Sequence, residues 1–368
     1  MSAKIYELFG YLTDDKGQQA QKTRKSCTCP FMGLECDGGG NRYQSFPNLN
    51  AVKDAELVKF FNGRTGVIPV GVCSLTTGND VWIVCPRRLF NLDASNAETS
   101  HEKFSANLLQ KYFGFKPSQR VGIWSEVKVK YTEGGDGEED DGKTFDYTFD
   151  YVITVLAPMK LSDAALRTGL DAKKMQKDAE KLGFLLAARN GVTFIEDYPV
   201  GPTNIVEVMT SSTSGGNKDK GTTIQNAFKQ AILGLPHQAP GINYRQVWAR
   251  MVSQLIVKSQ IGKAWGGKTM WVLQDSLTNY ISRTTDLNLQ KLIAVALREV
   301  NILSLKYADQ KDKTGTYNLE EENLFAGNIP AVQDDTDFNR LLQAANIPPA
   351  VELERKLLGK KPRNRITF

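Results

Sequence analysis

Two stretches place a carboxylate inside an apolar, strand-like run: Phe149-Asp150-Tyr151-Val152-Ile153 and Asn204-Ile205-Val206-Glu207-Val208-Met209-Thr210. Strand side chains alternate faces, so Val206 and Val208 point one way and Glu207 and Met209 the other. A carboxylate on a half-buried strand is costly unless something compensates it. Two brought together repel, and a divalent cation relieves that repulsion. This is the logic of a magnesium site for phosphodiester cleavage. The competing reading is two solvated acids, and with 41 Asp and Glu in the chain the two runs alone do not decide.

A second donor set lies near the front. All five cysteines, Cys27, Cys29, Cys36, Cys73 and Cys85, precede residue 86. An odd number crowded into one end argues against a disulfide framework and for metal. Four thiolates make a tetrahedral site for zinc or iron. The best four are Cys29, Cys36, Cys73 and Cys85, with Cys27 the odd one out or a substitute for Cys29. Their spacings are not those of a zinc ribbon, so buried free thiols are the alternative. For Arg87 and Arg88, directly after the last cysteine, a solvated edge is preferred over a phosphate contact.

The chain has 368 residues, 41% hydrophobic and 24% charged, with net charge +5, which reads as a soluble globular protein of up to two domains. The mild basicity permits nucleic acid as a partner without requiring it. No apolar run follows the N-terminus and none approaches ~18 residues, so the expectation is a cytoplasmic protein without signal peptide or membrane span.

The elements that must position these groups follow from periodicity. Ile5, Leu8, Phe9 and Leu12 suggest a short helix, residues 51–61 another, and residues 66–85 a hairpin. A helix is expected over 99–113, then a strand over 121–131 carrying Glu126, an acidic glycine-rich solvated loop over 132–143, and the Asp150 strand over 145–156. Asp146 and Asp150 share a face of that strand. Residues 162–190 read as helical, broken at Gly169 and restarted at Asp171, followed by a short strand at 192–195 and then the Glu207 strand. The loop 211–220 is polar and lacks the pattern of a nucleotide-binding loop. Helices are expected over 225–233, 243–261 and, as a turn, 277–281, with a strand at 268–274. Leu289, Leu292, Ile293, Ala296, Leu297, Val300 and Leu303 predict an amphipathic core helix over 286–307. The basic tail 359–368 is expected to be mobile, able to add a phosphate contact.

The residues also match a known family in order. The chain resembles the NotI-type restriction endonucleases through Cys29-Pro30-Phe31, Gly71-Val72-Cys73, Ile83-Val84-Cys85-Pro86-Arg87-Arg88, the Glu126 strand, Phe149-Asp150-Tyr151, Val206-Glu207-Val208-Met209-Thr210 and Gln254-Leu255-Ile256-Val257-Lys258. The match spans roughly residues 25–285. The resemblance implies an α/β fold of the PD-(D/E)XK nuclease type, a mixed sheet flanked by helices, acting as a homodimer on palindromic double-stranded DNA with magnesium. It implies a structural iron (or zinc) in Cys29, Cys36, Cys73 and Cys85, and an acidic site at Glu126, Asp150 and Glu207. The domain expectation is a metal-stapled unit over 1–98, a catalytic core over 99–310 with a helical insert at 160–190, and a helical extension with basic tail over 311–368.

Two positions depart from the family. Met209 stands where the wider superfamily has lysine and the NotI type glutamine, and methionine cannot handle a proton. The substitute is Lys258, Lys218, Lys220 or metal-bound water alone. Gln254 lies one helical turn from Lys258 and could buttress the site. The insert between Asp150 and Glu207 makes Asp197, ten residues before Glu207, a reserve for Asp150. The family favours GC-rich sites, so a guanine reader is expected among Arg245, Arg250, Lys258, Lys263, Lys268 and Arg283. Two rivals remain: a DNA-binding protein that does not cut, which Met209 favours, and an interaction protein with a structural metal.

Overall fold

The computed structural model describes residues 3–39, 48–50, 54–92, 99–132, 144–214, 216, 221–285, 288–329 and 347–368. The chain begins with β1 (Lys4–Leu8), β2 (Tyr11–Leu12), α1 (Gln18–Ser26), β3 (Thr28–Cys29), β4 (Leu34–Glu35), α2 (Ala55–Phe60), β5 (Val72–Thr77), β6 (Asp80–Ile83) and α3 (Pro86–Leu89). It continues through α4 (Ser100–Phe113), β7 (Arg120–Thr132), β8 (Thr144–Lys160), α5 (Leu161–Thr168), α6 (Ala172–Lys181), β9 (Leu186–Arg189) and β10 (Val192–Met209). The last third holds α7 (Ile224–Ile232), α8 (Tyr244–Ala264), β11 (Thr269–Gln274), α9 (Asp275–Thr285), β12 (Val300–Lys311), β13 (Tyr317–Gly327), α10 (Ala350–Leu358) and β14 (Asn364–Thr367).

An eight-stranded mixed sheet in the order β13-β12-β11-β10-β8-β7-β14, with β9 beside β10, forms the body. Strands β10, β11 and β12 run parallel, the others antiparallel. Parallel neighbours need crossovers, which α7 and α8 supply between β10 and β11, and α9 between β11 and β12. Both faces are covered. On one, Ile123, Ile153, Val206 and Val272 pack with Leu108 and Leu109 of α4. On the other, Trp124, Val152 and Ile205 meet Ile261 of α8, while Trp271 and Leu273 meet Val247 and Met251 of the same helix. The α/β class and the helix-flanked mixed sheet match the sequence reading.

A four-stranded sheet, β2-β1-β5-β6, forms the N-terminal unit. It is not closed within the first hundred residues. Ile5, Phe9, Val70 and Leu75 share their core with Ala227, Phe228 and Ala231 of α7, and Ala3 bridges Ala239.

Several elements differ from expectation. Residues 5–12 form β1 and β2, turned over by Phe9 and Gly10 at positive φ, not a helix. The helical reading of 162–190 ends at Lys181, before Gly183 at positive φ, and residues 186–189 form β9, which Asn190 and Gly191, both at positive φ, turn into β10. The stripe at 286–307 is a short 3-10 turn, Leu289–Leu292, followed by β12. A parallel strand buried on both faces is apolar throughout and can mimic a helical stripe. Among the described residues of 311–368 only α10 is helical, and β13 and β14 form the two edges of the main sheet. The tail is pinned, since β14 pairs with β7 and Phe368 stacks on Phe115 at 5.2 Å. The short strand and the Glu207 strand are one element, β10, with two register irregularities. Most of the acidic loop, 133–143, lies outside the described residues, as do Lys218 and Lys220.

Candidate active site

The two strand acids meet. Strands β8 and β10 are antiparallel and their ladder ends at Val206 opposite Tyr151, which sets Glu207 beside Asp150. Asp150 Oδ2 takes over there, accepting the Val208 N–H at 2.8 Å. Glu207 shares its face with Ile205 and Met209, beneath α8. Its carboxylate is buried, and Oε2 accepts from Lys258 Nζ at 2.6 Å. Glu207 Oε1 is buried with no hydrogen-bond partner.

Burial, then the Asp150 charge, pushes the Glu207 carboxyl up to about 8, with Lys258 opposing. Lys258 itself is buried between two aromatic faces, with Nζ 5.5 Å from the Phe149 ring centre and 5.7 Å from that of Trp271. Such faces stabilise an ammonium held out of water. The helix thus delivers a cation to the Glu207 carboxylate. Met209, at that strand position, packs instead on the cluster of Trp82, Val247 and Leu273.

Glu126 enters from β7. Along β7, Trp124 and Val127 lie in the same core cluster, and along β8 so do Phe149 and Val152. The alternation therefore slips on both strands at the level of Glu126 and Asp150. Glu126 takes up the slip with φ 49°, a left-handed conformation that costs about 1–3 kcal/mol for such a residue. Lys360 Nζ anchors it, donating to the carbonyls of Ser125 at 2.6 Å and Glu126 at 2.9 Å. The exposed Glu126 lines a cavity of 150 Å³ with Asp150, Tyr151, Val208 and Arg87. Asp150 is thus common to the open cavity and the buried Glu207–Lys258 pair.

Other candidates fall elsewhere. Gln254 is exposed on α8, with no described contact to the acids. Asp197 is buried and structural: Oδ1 accepts the Leu185 N–H at 2.8 Å and Oδ2 accepts from Arg365 Nε at 2.7 Å. Asp146 is exposed. Among the proposed base readers, Lys258 is committed to Glu207, Lys263 pairs with Glu299, and Lys268 donates to the Leu297 carbonyl. Arg245, Arg250 and Arg283 are exposed.

The cysteines gather as the sequence selected them. Cys29, Cys73 and Cys85 are buried in one cluster with Phe31 and Met32, and Cys36 packs against it. Burial first, and then the neighbouring cysteines, raises Cys29 to about 12 and Cys36 and Cys73 well above the usual thiol range. Burial, Asp37 and weaker opposing groups leave Cys85 at about 11. Backbone N–H groups point at the sulfurs: Gly10 donates to Cys73 at 3.3 Å and Gly38 to Cys36 at 3.4 Å. Phe31 and Met32 do so for Cys29, and Arg87 and Arg88 for Cys85. Such donors favour the thiolate, the form that binds metal. The sulfurs are gathered rather than arranged as a finished shell: among the described residues, no three His, Cys, Asp or Glu side chains converge in metal-holding geometry. Cys27 sits in the separate core of the N-terminal sheet, so it is the odd one out.

The arginine pair is no solvated edge. Arg88 is fully buried between the rings of Phe31 and Tyr307, its Cζ 4.7 Å from each ring centre, and its Nε donates to Glu7 Oε2 at 3.1 Å. Arg87 donates to Asp37 Oδ2 and to the Tyr151 hydroxyl, both at 3.0 Å. Glu7, the buried partner of Arg88, was not visible in the sequence, because its run Lys4–Leu8 resembles a helical face as much as a strand.

Comparison of the chain with protein-family models gives no match, and comparison with curated proteins gives none. No helix among the described residues is long and apolar enough to cross a membrane.

Proposed function

We propose that this protein is a magnesium-dependent endonuclease of the restriction type, cutting both strands of duplex DNA at a specific, GC-rich palindromic site as a homodimer. The observation that carries the reading is the meeting of Asp150 and Glu207 on adjacent strands, with Lys258 on Glu207 and an open cavity at Asp150. The charges of these neighbouring carboxylates repel, and a divalent cation would relieve that repulsion. Oxygen donors are the kind magnesium takes, and the unpartnered Glu207 Oε1 leaves one ligand atom available, although among the described residues the three acids do not converge in metal-holding geometry.

Asp150 and Glu207 would hold the ion. Bound magnesium supplies positive charge to a phosphate oxygen and acidifies a water. Lys258 would orient that water and steady the charge that develops on phosphorus. Glu126, on its strained turn, would position a second water or ion from the opposite wall. Cys29, Cys36, Cys73 and Cys85 would hold iron or zinc in a structural role, tying β3, β5 and the start of α3 together.

A second reading rests on the same pair. Glu207 and Lys258 satisfy each other at 2.6 Å and Met209 is apolar, as in a DNA-binding protein that does not cut. Digestion of a long unmethylated DNA of known sequence separates the two. Discrete fragments with magnesium and none with EDTA support the endonuclease; intact binding without any cleavage supports the second reading.

A further inference from the structure

Two cavities meet at the strained turn of β7. The first contains Asp150 and Arg87; the second, of 570 Å³, is walled by Lys360, Lys361 and Arg363; Ser125 and Glu126 line both. The two cavities thus share Ser125 and Glu126, with Asp150 in the first and the C-terminal cations around the second. The C-terminal cations stand on a fixed segment. Lys360 is bonded to the Ser125 and Glu126 carbonyls, Pro362 is buried, and the Arg363 N–H donates to the Ile123 carbonyl at 2.7 Å. Lys361 and Arg363, two residues apart, are both exposed beside the groove. A cation on an immobilised backbone loses little entropy on meeting a phosphate.

We propose that Lys361 and Arg363 grip the phosphodiester backbone of one DNA strand next to the scissile phosphate. The second cavity then reads as a track along which Lys361 and Arg363 neutralise phosphates beside the Asp150 cavity. Lys360 is a positioning residue that holds the Glu126 turn rather than a DNA contact. The proposal rests on the endonuclease reading and adds the path of the strand.

The test is the salt dependence of binding by the full-length protein to a short labelled duplex of arbitrary sequence, in EDTA so that nothing is cut. The K361Q/R363Q variant should show a slope of log Kd against log salt reduced by about 2, since each phosphate contact contributes about 0.9. The charge-matched K291Q/K313Q variant, at the β13 edge of the sheet, should keep the wild-type slope. Wild-type binding with an unchanged K361Q/R363Q slope overturns the track and leaves the endonuclease reading standing. Absence of salt-sensitive binding by the wild type overturns both. Should the double variant fail to fold by its melting curve, K361Q alone decides, with an expected slope change of about 1.

Discussion

The Lys258 ammonium on α8 lies 2.6 Å from the Glu207 carboxylate on β10, across 51 residues of sequence. On the endonuclease reading, that contact offers a stand-in for the lysine absent two residues after the acid. A strand residue there would share the face of Glu207, and the helix packed on that face brings its own lysine to the same carboxylate. Replacing Lys258 with Met should lower the single-turnover cleavage rate by about 100-fold or more, the usual scale for a proton-handling group. Arginine at that position should not restore it, because the planar fork differs from a compact ammonium. Quench-flow cleavage of a mapped site measures both; wild-type rates in K258M would remove Lys258 from the chemistry.

Glu207 gives a pH signature. Its folded value of about 8 lies above the ordinary 4.5. Between those values the folded carboxyl keeps a proton that the unfolded chain has released, so metal-free stability should fall as pH rises from about 4.5 to about 8 and level off above. Magnesium needs the carboxylate, so its binding at pH 7 should expel close to one proton, and its affinity should rise about tenfold per pH unit below 8. Calorimetry in buffers of differing ionisation enthalpy counts that proton. Zero protons released at pH 7 would show that Glu207 is already ionised or does not bind the ion.

The cysteine cluster separates four thiols from one. C29S, C73S and C85S should each lose the bound iron or zinc and lower the melting temperature, whereas C27S should retain one metal atom per chain. Elemental analysis of purified variants reads this directly. Equal metal content in C27S and C73S at zero would mean that the four thiols are only a buried cluster.

Asp197 is expected to be structural. Arg365→Met would leave its buried carboxylate with only the Leu185 N–H, at a cost of about 3–5 kcal/mol for breaking a buried pair. Urea denaturation should show that loss, while the cleavage rate per folded molecule stays at the wild-type level. A variant equally stable but inactive would return Asp197 to the catalytic set.

The parts of the site legible in the sequence were those whose cost is local. An acid inside an apolar strand, as at Asp150 and Glu207, and thiols concentrated at one end both stand out without knowledge of the fold. Lys258 stood out as one of several lysines that could stand in for the missing strand lysine; choosing it needs the packing of α8 on β10. Arg88 and Glu7 could not be paired from sequence because 81 residues separate them and each looks like an ordinary surface charge. The same limit misplaced β12 and β14. A strand buried on both faces has no alternation to read, and a basic tail gives no sign that an edge strand awaits it.

Cleavage by E207Q and D150N, assayed with magnesium beside duplex binding in the same samples, tests the endonuclease most directly. Both variants should bind DNA as the wild type does, and both should cut at least about 1,000-fold more slowly, the scale for removing a group that stabilises the transition state. Wild-type cutting by either variant would show that this pair of strand acids is not the catalytic centre.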